Sequence, residues 1–447
     1  MDQAAHTPQN LEERLIWKAI TCTWVVYLFG GLYLLAPMIG WYLVGLILLR
    51  AYSQNEMTPP RQRVRMFAGP LIWIGGMLLL LTALILGHVD FHLPISQLIK
   101  SSLGWAKGWA LMAVFITIGA SLDIRPRVLA RAGNRLALQT LCLIPIFQIA
   151  PLIHIPSHFY VSPLLMLGGP GPEFFSVDLY SVSYDSPSAR WSFFSPWGPA
   201  AGMVANVYLI IALQDRSTKW KMVGITSCIF MCWMSQSRLA LIALVAVPAI
   251  TLALSGLTRP RIFFASAFAA VASGLLIGQL MNLMDAANAK FVAARAASSR
   301  VRATLGRIAL QRWQDEAPIF GHGAVERGPH IVEYMPIGSH HTWYGLLFVK
   351  GAVGFCSLAI PMLASFVELI LKAQTSRTAR GGLAVVITLL FYTFGENLEI
   401  LVYQFWPGLL LIGRASRQHF HSPFGRAFQS LTNDGANTHE HNQEFHA

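Results

Sequence analysis

The chain alternates between long, uninterrupted apolar runs and short polar stretches. Runs of roughly 17–25 apolar residues are long enough to cross a bilayer as helices. The pattern predicts twelve spans, at 16–35, 37–51, 68–88, 103–122, 134–154, 197–213, 220–235, 239–256, 261–283, 343–371, 382–395 and 398–413. Ala36-Pro37 alone divides the first two, and proline there is expected to interrupt the helix. Gly395-Glu396-Asn397 divides the last two. Two long stretches carry no such run, 155–196 and 284–342. The expected fold is an all-α polytopic membrane protein of about twelve transmembrane helices with two long loops. It divides into helices 1–5 (1–154), a first loop (155–196), helices 6–9 (197–283), a large loop (284–342), helices 10–12 (343–413) and a polar tail (414–447).

Composition agrees with this reading. Of 447 residues, 54% are hydrophobic and 12% charged, against about a quarter charged in a soluble domain. No cleavable signal peptide is expected, because the first apolar run is too long and no small-residue cleavage site follows it. Cys22, Cys142, Cys228, Cys232 and Cys356 all fall in apolar runs, which favours packing over a disulfide framework. The tail ends in HEHNQEFH, whose histidines could bind a metal but lie in a segment that reads as disordered.

Charge supplies the orientation. The net charge is +12. Arg61, Arg63 and Arg65 follow span two, and Arg125, Arg127, Arg131 and Arg135 follow span four. Arg216, Lys219 and Lys221 follow span six, Arg259 and Arg261 span eight, Lys372, Arg377 and Arg380 span ten, and Arg414 and Arg417 span twelve. Every cluster lies in an even-numbered gap, so the positive-inside rule places both termini in the cytoplasm and both long loops outside.

Three features then collect on the outer side. The large loop carries Lys290, Arg295, Arg300, Arg302, Arg307, Arg312 and Arg327. SSRVRATLGRIALQRWQDEAPIFGHG reads as an amphipathic helix ending at Pro318, which either lies on lipid headgroups or offers an electropositive platform to an anionic lipid. In the first loop Arg190 precedes Trp191, Phe193, Phe194 and Trp197, either an interfacial aromatic belt or a stacking surface for sugar rings. Arg238 opens span eight after Ser235, Gln236 and Ser237. A charge at membrane depth costs roughly 2.5–3.5 kcal/mol on insertion scales. Near the interface it can snorkel, and a guanidinium there also suits bidentate phosphate binding. His340 and His341, with Trp343 beside them, stand just before span ten.

Together these segments resemble the O-antigen ligase and polymerase family, which includes capsule and exopolysaccharide polymerases. SQSRLALIALV is similar to its Ser-Arg-small motif opening a span, and PIFGHGAVERG to its Pro-hydrophobic-hydrophobic-Gly-x-Gly turn. SHHTWYGLLFVKGAVG resembles the histidine-bearing start of its next span, with Gly351 and Gly354 in Gly-x-x-Gly spacing. The similarity covers about Arg190 to Gly354. Two positions depart from the family: Ser195-Pro196-Trp197 replaces the usual Asn-Pro-Asn, and Lys350 stands where an acid is frequent.

The resemblance implies an all-helical (GT-C-like) glycosyltransferase of the bacterial inner membrane. Its donor would be a glycan on undecaprenyl diphosphate at the periplasmic leaflet, and its acceptor a glycan or lipid hydroxyl. Arg190 and Arg238 would stabilise the diphosphate leaving group and His340 would be the base. Arg300, Arg302, Arg307, His341, Trp191 and Trp343 would bind substrate. No cofactor, metal or nucleic acid is implied; a chain-length regulator or export machinery is the expected protein partner. Polymerisation of repeat units is favoured, with ligation to lipid A core as the alternative. A twelve-helix secondary transporter is the competing class, disfavoured because no internal repeat is visible and the polar residues gather at one face.

Overall fold

The computed structural model of the chain describes residues 6–55, 58, 63–183, 186–275 and 296–418. Arg61, Asp185, Lys290, Arg295, the end of predicted span nine and the histidine-rich tail lie outside the described residues. The described fold is mostly helical. Helices α1 (Leu11–Thr21), α2 (Thr23–Leu28), α3 (Leu32–Ser53), α4 (Ala68–Asp90), α5 (Ile95–Lys107), α6 (Trp109–Ser121) and α7 (Pro126–Ile149) precede the first long loop. Helices α8 (Gly198–Ala212), α9 (Thr218–Met234), α10 (Arg238–Leu254) and α11 (Pro260–Leu275) follow it. The large loop contributes α12 (Ala296–Glu316), and the chain continues through α13 (Thr342–Ala373), α14 (Arg377–Thr393) and α15 (Leu398–Ser416).

Among the described residues four helical segments are long and apolar enough to cross a membrane: Leu32–Ser53, Ala68–Asp90, Ile95–Ser121 and Thr342–Ala373. Gly198–Ala212 and Arg238–Leu254 are apolar but shorter. The class these helices fit is an α-helical membrane protein. Leu78, Leu79, Val245, Leu252, Leu363 and Val367 are exposed large apolar residues on their outer flanks. By contrast, α6, α8 and most of α15 are buried on every side, as expected of helices apolar all round at the centre of a bundle. The packing of α6 on α15 is close: a Cβ at Gly119 or Gly413 would collide with the facing backbone at Leu410 or Ile116.

Three local expectations are corrected. Pro37 does not interrupt the first apolar region; it lies inside α3, just after the first turn, where the single lost hydrogen bond is tolerated. The break falls instead at Phe29–Gly31, where Gly30 adopts φ +65°. A side chain at Gly30 would also strike Ser162 and Phe175 of the 155–196 loop, so close approach selects that glycine. Predicted span four is two helices meeting at Gly108 rather than one. The 155–196 loop contains two small antiparallel ladders, β1 (His158–Val161) with β2 (Ser176–Asp178) and β3 (Ser181–Ser183) with β4 (Ser186–Arg190). Pro156, Pro163, Gly168, Gly169, Pro170, Gly171, Pro172 and Pro187 disfavour a long helix here, and short ladders satisfy the main-chain hydrogen bonds instead.

Predicted span ten also hides a discontinuity. At Gly351 φ is +60° and ψ −162°, so α13 is two helical pieces. The Pro318–Gly323 turn docks into that break. The amides of His322 and Gly323 donate to the carbonyls of Phe348 and Val349, and the amides of Ala352 and Val353 donate to those of Pro318 and Ile319, all at 2.9–3.1 Å. These four bonds replace the helical bonds lost at Gly351. They also anchor the large loop at the break in α13.

Candidate functional site

The amino ends of α8 and α13 follow the two long loops, that of α10 follows the Ser235–Ser237 turn, and that of α15 follows the Gly395–Asn397 corner. Helix amino ends carry partial positive charge, so several such ends near one place make it attractive to anions. Arg190 closes β4 and lies against Gly198, the first residue of α8, where a Cβ would clash with its guanidinium. Its Nε donates to the Ser235 carbonyl at 2.8 Å, tying the end of the first loop to the turn before α10. Gln236 in that turn holds φ +49°, and its side-chain amide donates to the Ala189 carbonyl at 3.0 Å. Arg238 follows as the first residue of α10, half-buried, with Ser237 capping the helix. The next residue, Leu239, packs on Gly395.

Glu396 occupies the centre of this region and is 2% exposed. Trp197 Nε1 donates to its Oε2 at 2.9 Å. The Thr342 hydroxyl donates to its main-chain carbonyl at 2.6 Å and accepts from Leu398 N at 3.1 Å, stitching α13 to α15. Burial raises the Glu396 carboxyl to about 7, although Arg302, Trp197 and Arg190 each favour its ionised form. Desolvation therefore outweighs three stabilising neighbours. His340, two residues before Thr342, is lowered to about 4, by burial first and by Arg302 second. Arg302 thus acts on both Glu396 and His340.

The three arginines proposed for α12 are not equivalent. Gly306 lies under the Tyr344 ring, and Arg302, one turn earlier, shares that face. All three are exposed, but Arg300 and Arg307 lie on other faces, and Arg307 bonds to Thr304 within its own helix at 3.4 Å. Arg312 braces the loop: it pairs with Glu316 at 2.8 Å and Glu326 at 2.6 Å and lies over the Phe348 ring. Its guanidinium, with His322, holds the Glu316 carboxyl down to about 2.

The structure therefore brings together Arg190, Arg302 and His340, with Arg238 at the adjoining helix end. His341, Trp191 and Trp343 make contacts of another kind. His341 caps α13 by accepting from Tyr344 N at 3.4 Å and stacks on the Tyr344 ring at 3.9 Å. Trp191 donates to the Phe147 carbonyl at 2.8 Å, against α7. Trp343 donates to Thr393 Oγ1 at 2.9 Å, against α14. Sequence reading gave Trp197 only as an aromatic of the belt or stacking surface, and did not place Glu396 or Lys350 in the region. Lys350 is 3% exposed, directly before the Gly351 break, 3.7 Å from Glu399 and over the Trp109 ring. The available signal was a lysine inside an apolar run, which is costly unless paired. Ser195 in the departing Ser-Pro-Trp segment bonds to Gln404 at 3.0 Å, so that segment docks on α15. Among the described residues, no three His, Cys, Asp or Glu side chains are grouped to hold a metal ion.

Compared with family models and with curated proteins, the chain matches none.

Proposed function

We propose that the protein is a glycosyltransferase of the bacterial inner membrane that acts without a metal on glycans carried by undecaprenyl diphosphate, and that it polymerises exopolysaccharide or O-antigen repeat units. In this reading the chain crosses the membrane twelve times, both termini are cytoplasmic, and 155–196 and 284–342 face the periplasm. What supports it is that Arg302 bears electrostatically on His340 and, with Arg190, on the buried Glu396 corner, where Trp197 and Thr342 join three segments of the chain. A lipid diphosphate leaving group needs fixed cations where its charge develops, and guanidiniums can supply them without reorganisation.

The step is a substitution at the anomeric carbon of the donor. The acceptor oxygen forms the new C–O bond as the bond to the diphosphate breaks, and the diphosphate leaves with the electron pair. The acceptor proton passes to His340. Burial and the Arg302 charge keep this imidazole neutral and weakly basic. A bound diphosphate offsets the Arg302 charge, so the base gains strength when the donor is present.

The test is an assay of purified protein in detergent with a lipid-linked repeat unit, a chelator and no ion gradient. Glycans longer than one repeat are the expected product. Transfer only to lipid A core assigns ligation instead. An unconsumed donor in folded protein, with passage of a solute across proteoliposomes, favours a transporter and ends the glycosyltransferase reading.

A further inference from the structure

Within the 155–196 loop, PLLMLGGP at 163–170 has no polar side chain. Only some of its apolar side chains turn inward. Leu164 and Leu165 are half-buried, and Leu164 packs over Gly31, just before α3. Met166 is 91% exposed and Leu167 60%. Leu28 and Phe29, at the end of α2, are exposed as well. The Ser162 hydroxyl donates to the Phe29 carbonyl at 2.8 Å, which sets the two apolar patches side by side. A patch of this kind on a folded surface marks a place where something binds.

The main chain of this turn is satisfied from within the protein. Pro163 has no N–H to satisfy. The amide of Leu164 donates to Ser162 Oγ at 3.3 Å, that of Leu165 to the Ser162 carbonyl at 3.1 Å, and that of Gly168 to the Leu165 carbonyl at 3.0 Å. Lys107, the last residue of α5, donates to the carbonyls of Leu167 and Gly168 at 3.0 and 3.1 Å. In water these groups need no protein partner, whereas in an apolar phase each must have one. Depth agrees. Arg50, near the far end of α3, pairs with Glu12 and marks one polar edge. From Arg50 back to Leu32 the helix rises about 27 Å, close to the hydrocarbon thickness of about 30 Å. The turn over Gly31 therefore stands at the opposite edge of the hydrocarbon.

We propose that the 163–168 turn is a lipid-inserted tip: Met166 and Leu167 enter the acyl-chain boundary of the bilayer, and Lys107 holds the turn there by its carbonyls. The partner is bilayer lipid. Continuity selects it over a second protein. The turn is held on one side by Leu32–Ser53, through Gly31, and on the other by Ile95–Ser121, through Lys107. Both are among the helical segments long and apolar enough to cross a membrane, so the tip adjoins surface that lipid covers. The 155–196 loop is then fastened to the bilayer rather than standing free in water, and its far end carries Arg190. This inference needs only the membrane class of the protein and stands whether or not the arginine site takes a diphosphate.

The experiment uses the full chain in phospholipid nanodiscs, with Cys22, Cys142 and Cys356 replaced and the buried Cys228 and Cys232 left in place. A polarity-sensitive fluorophore is attached to Met166→Cys, and Val325→Cys, 61% exposed in the large loop, is the reference. Emission from Met166→Cys is expected to lie to the blue of the reference, to be quenched by phospholipid carrying a nitroxide on its acyl chain, and to be shielded from iodide in the water. Iodide quenching equal to that of the reference, with none by the labelled lipid, overturns the proposal. Shielding from both quenchers shows that protein covers the tip and overturns it equally; a disulfide between copies of Met166→Cys then identifies a second copy as the cover. Leu167→Cys gives the same reading if Met166→Cys fails to fold.

Discussion

At the scale of single residues, the neighbouring histidines have separate tasks. His341 spends its Nδ1 on a helix cap and its ring face on Tyr344, whereas His340 stands in the field of Arg302. His340→Ala is expected to fold and to lose roughly 10²–10⁴-fold in transfer rate, the usual share of general base catalysis. His341→Ala should retain more activity and instead lose about 0.5–2 kcal/mol of stability with the cap. Rates and thermal unfolding measured together separate the two, and the opposite ranking would move the base to His341. The arginines divide in the same way. Arg302→Ala should impair transfer more than Arg300→Ala or Arg307→Ala, because Arg302 alone of the three acts on His340 and Glu396. Arg302 lowers the His340 pKa, so its removal raises that pKa and moves the acid limb of kcat/KM to higher pH. A pH–rate profile in which Arg302→Ala leaves that limb in place counts against the contact. Arg238→Lys should remain severely impaired, since a point charge does not reproduce the planar fork; activity like that of the unaltered protein would make Arg238 a snorkelling anchor.

At the scale of elements, the broken α13 holds the large loop in place. Gly351 occupies a backbone region almost confined to glycine, and a Cβ there would collide with the Ile319 carbonyl. Gly351→Ala is therefore expected to destabilise the protein by about 1–3 kcal/mol from backbone strain alone. Its effect should extend beyond stability, because the same break receives the Pro318–Gly323 turn that anchors α12 and hence Arg302. The expected signature is faster proteolysis between α12 and α13 together with lost transfer; unchanged proteolysis and unfolding would show that the turn docks without the break. The Arg312–Glu316–His322 pairing tightens the same anchor. Glu316 is depressed in the folded protein to about 2, so the pairing contributes above the ordinary carboxylate range and is lost as pH falls toward that value.

At the scale of the whole molecule, the question is which face meets which compartment. The arginine and lysine clusters in the even-numbered gaps predict that 155–196 and 284–342 share one side. Single cysteines at Ser183 and at Val325, which is 61% exposed, should both react with a reagent restricted to the periplasm. Protection of both would invert the map and remove the site from the leaflet where the donor is proposed to lie. The background cysteines are exposed at Cys22, Cys142 and Cys356 and must be replaced first.

Hydrophobic periodicity by itself determined where the helices lie. Most predicted spans coincide with helices, because a backbone in apolar surroundings must satisfy its own hydrogen bonds. It also placed Arg190, Arg238 and His340 at helix or loop ends, since the apolar runs carry few charges. What only the tertiary structure decided depends on how those helices meet. Pro37 is tolerated and Gly30 is not replaceable because Ser162 and Phe175 press on one and not the other. Arg302 is distinguished from Arg300 and Arg307 by the face of α12 that Gly306 lays on Tyr344, and no spacing in the sequence reveals that face. Glu396 reads in the sequence as a polar residue in a short turn. Its raised pKa arises from burial among α8, α13 and α15, and burial is a property of packing that a linear pattern does not carry.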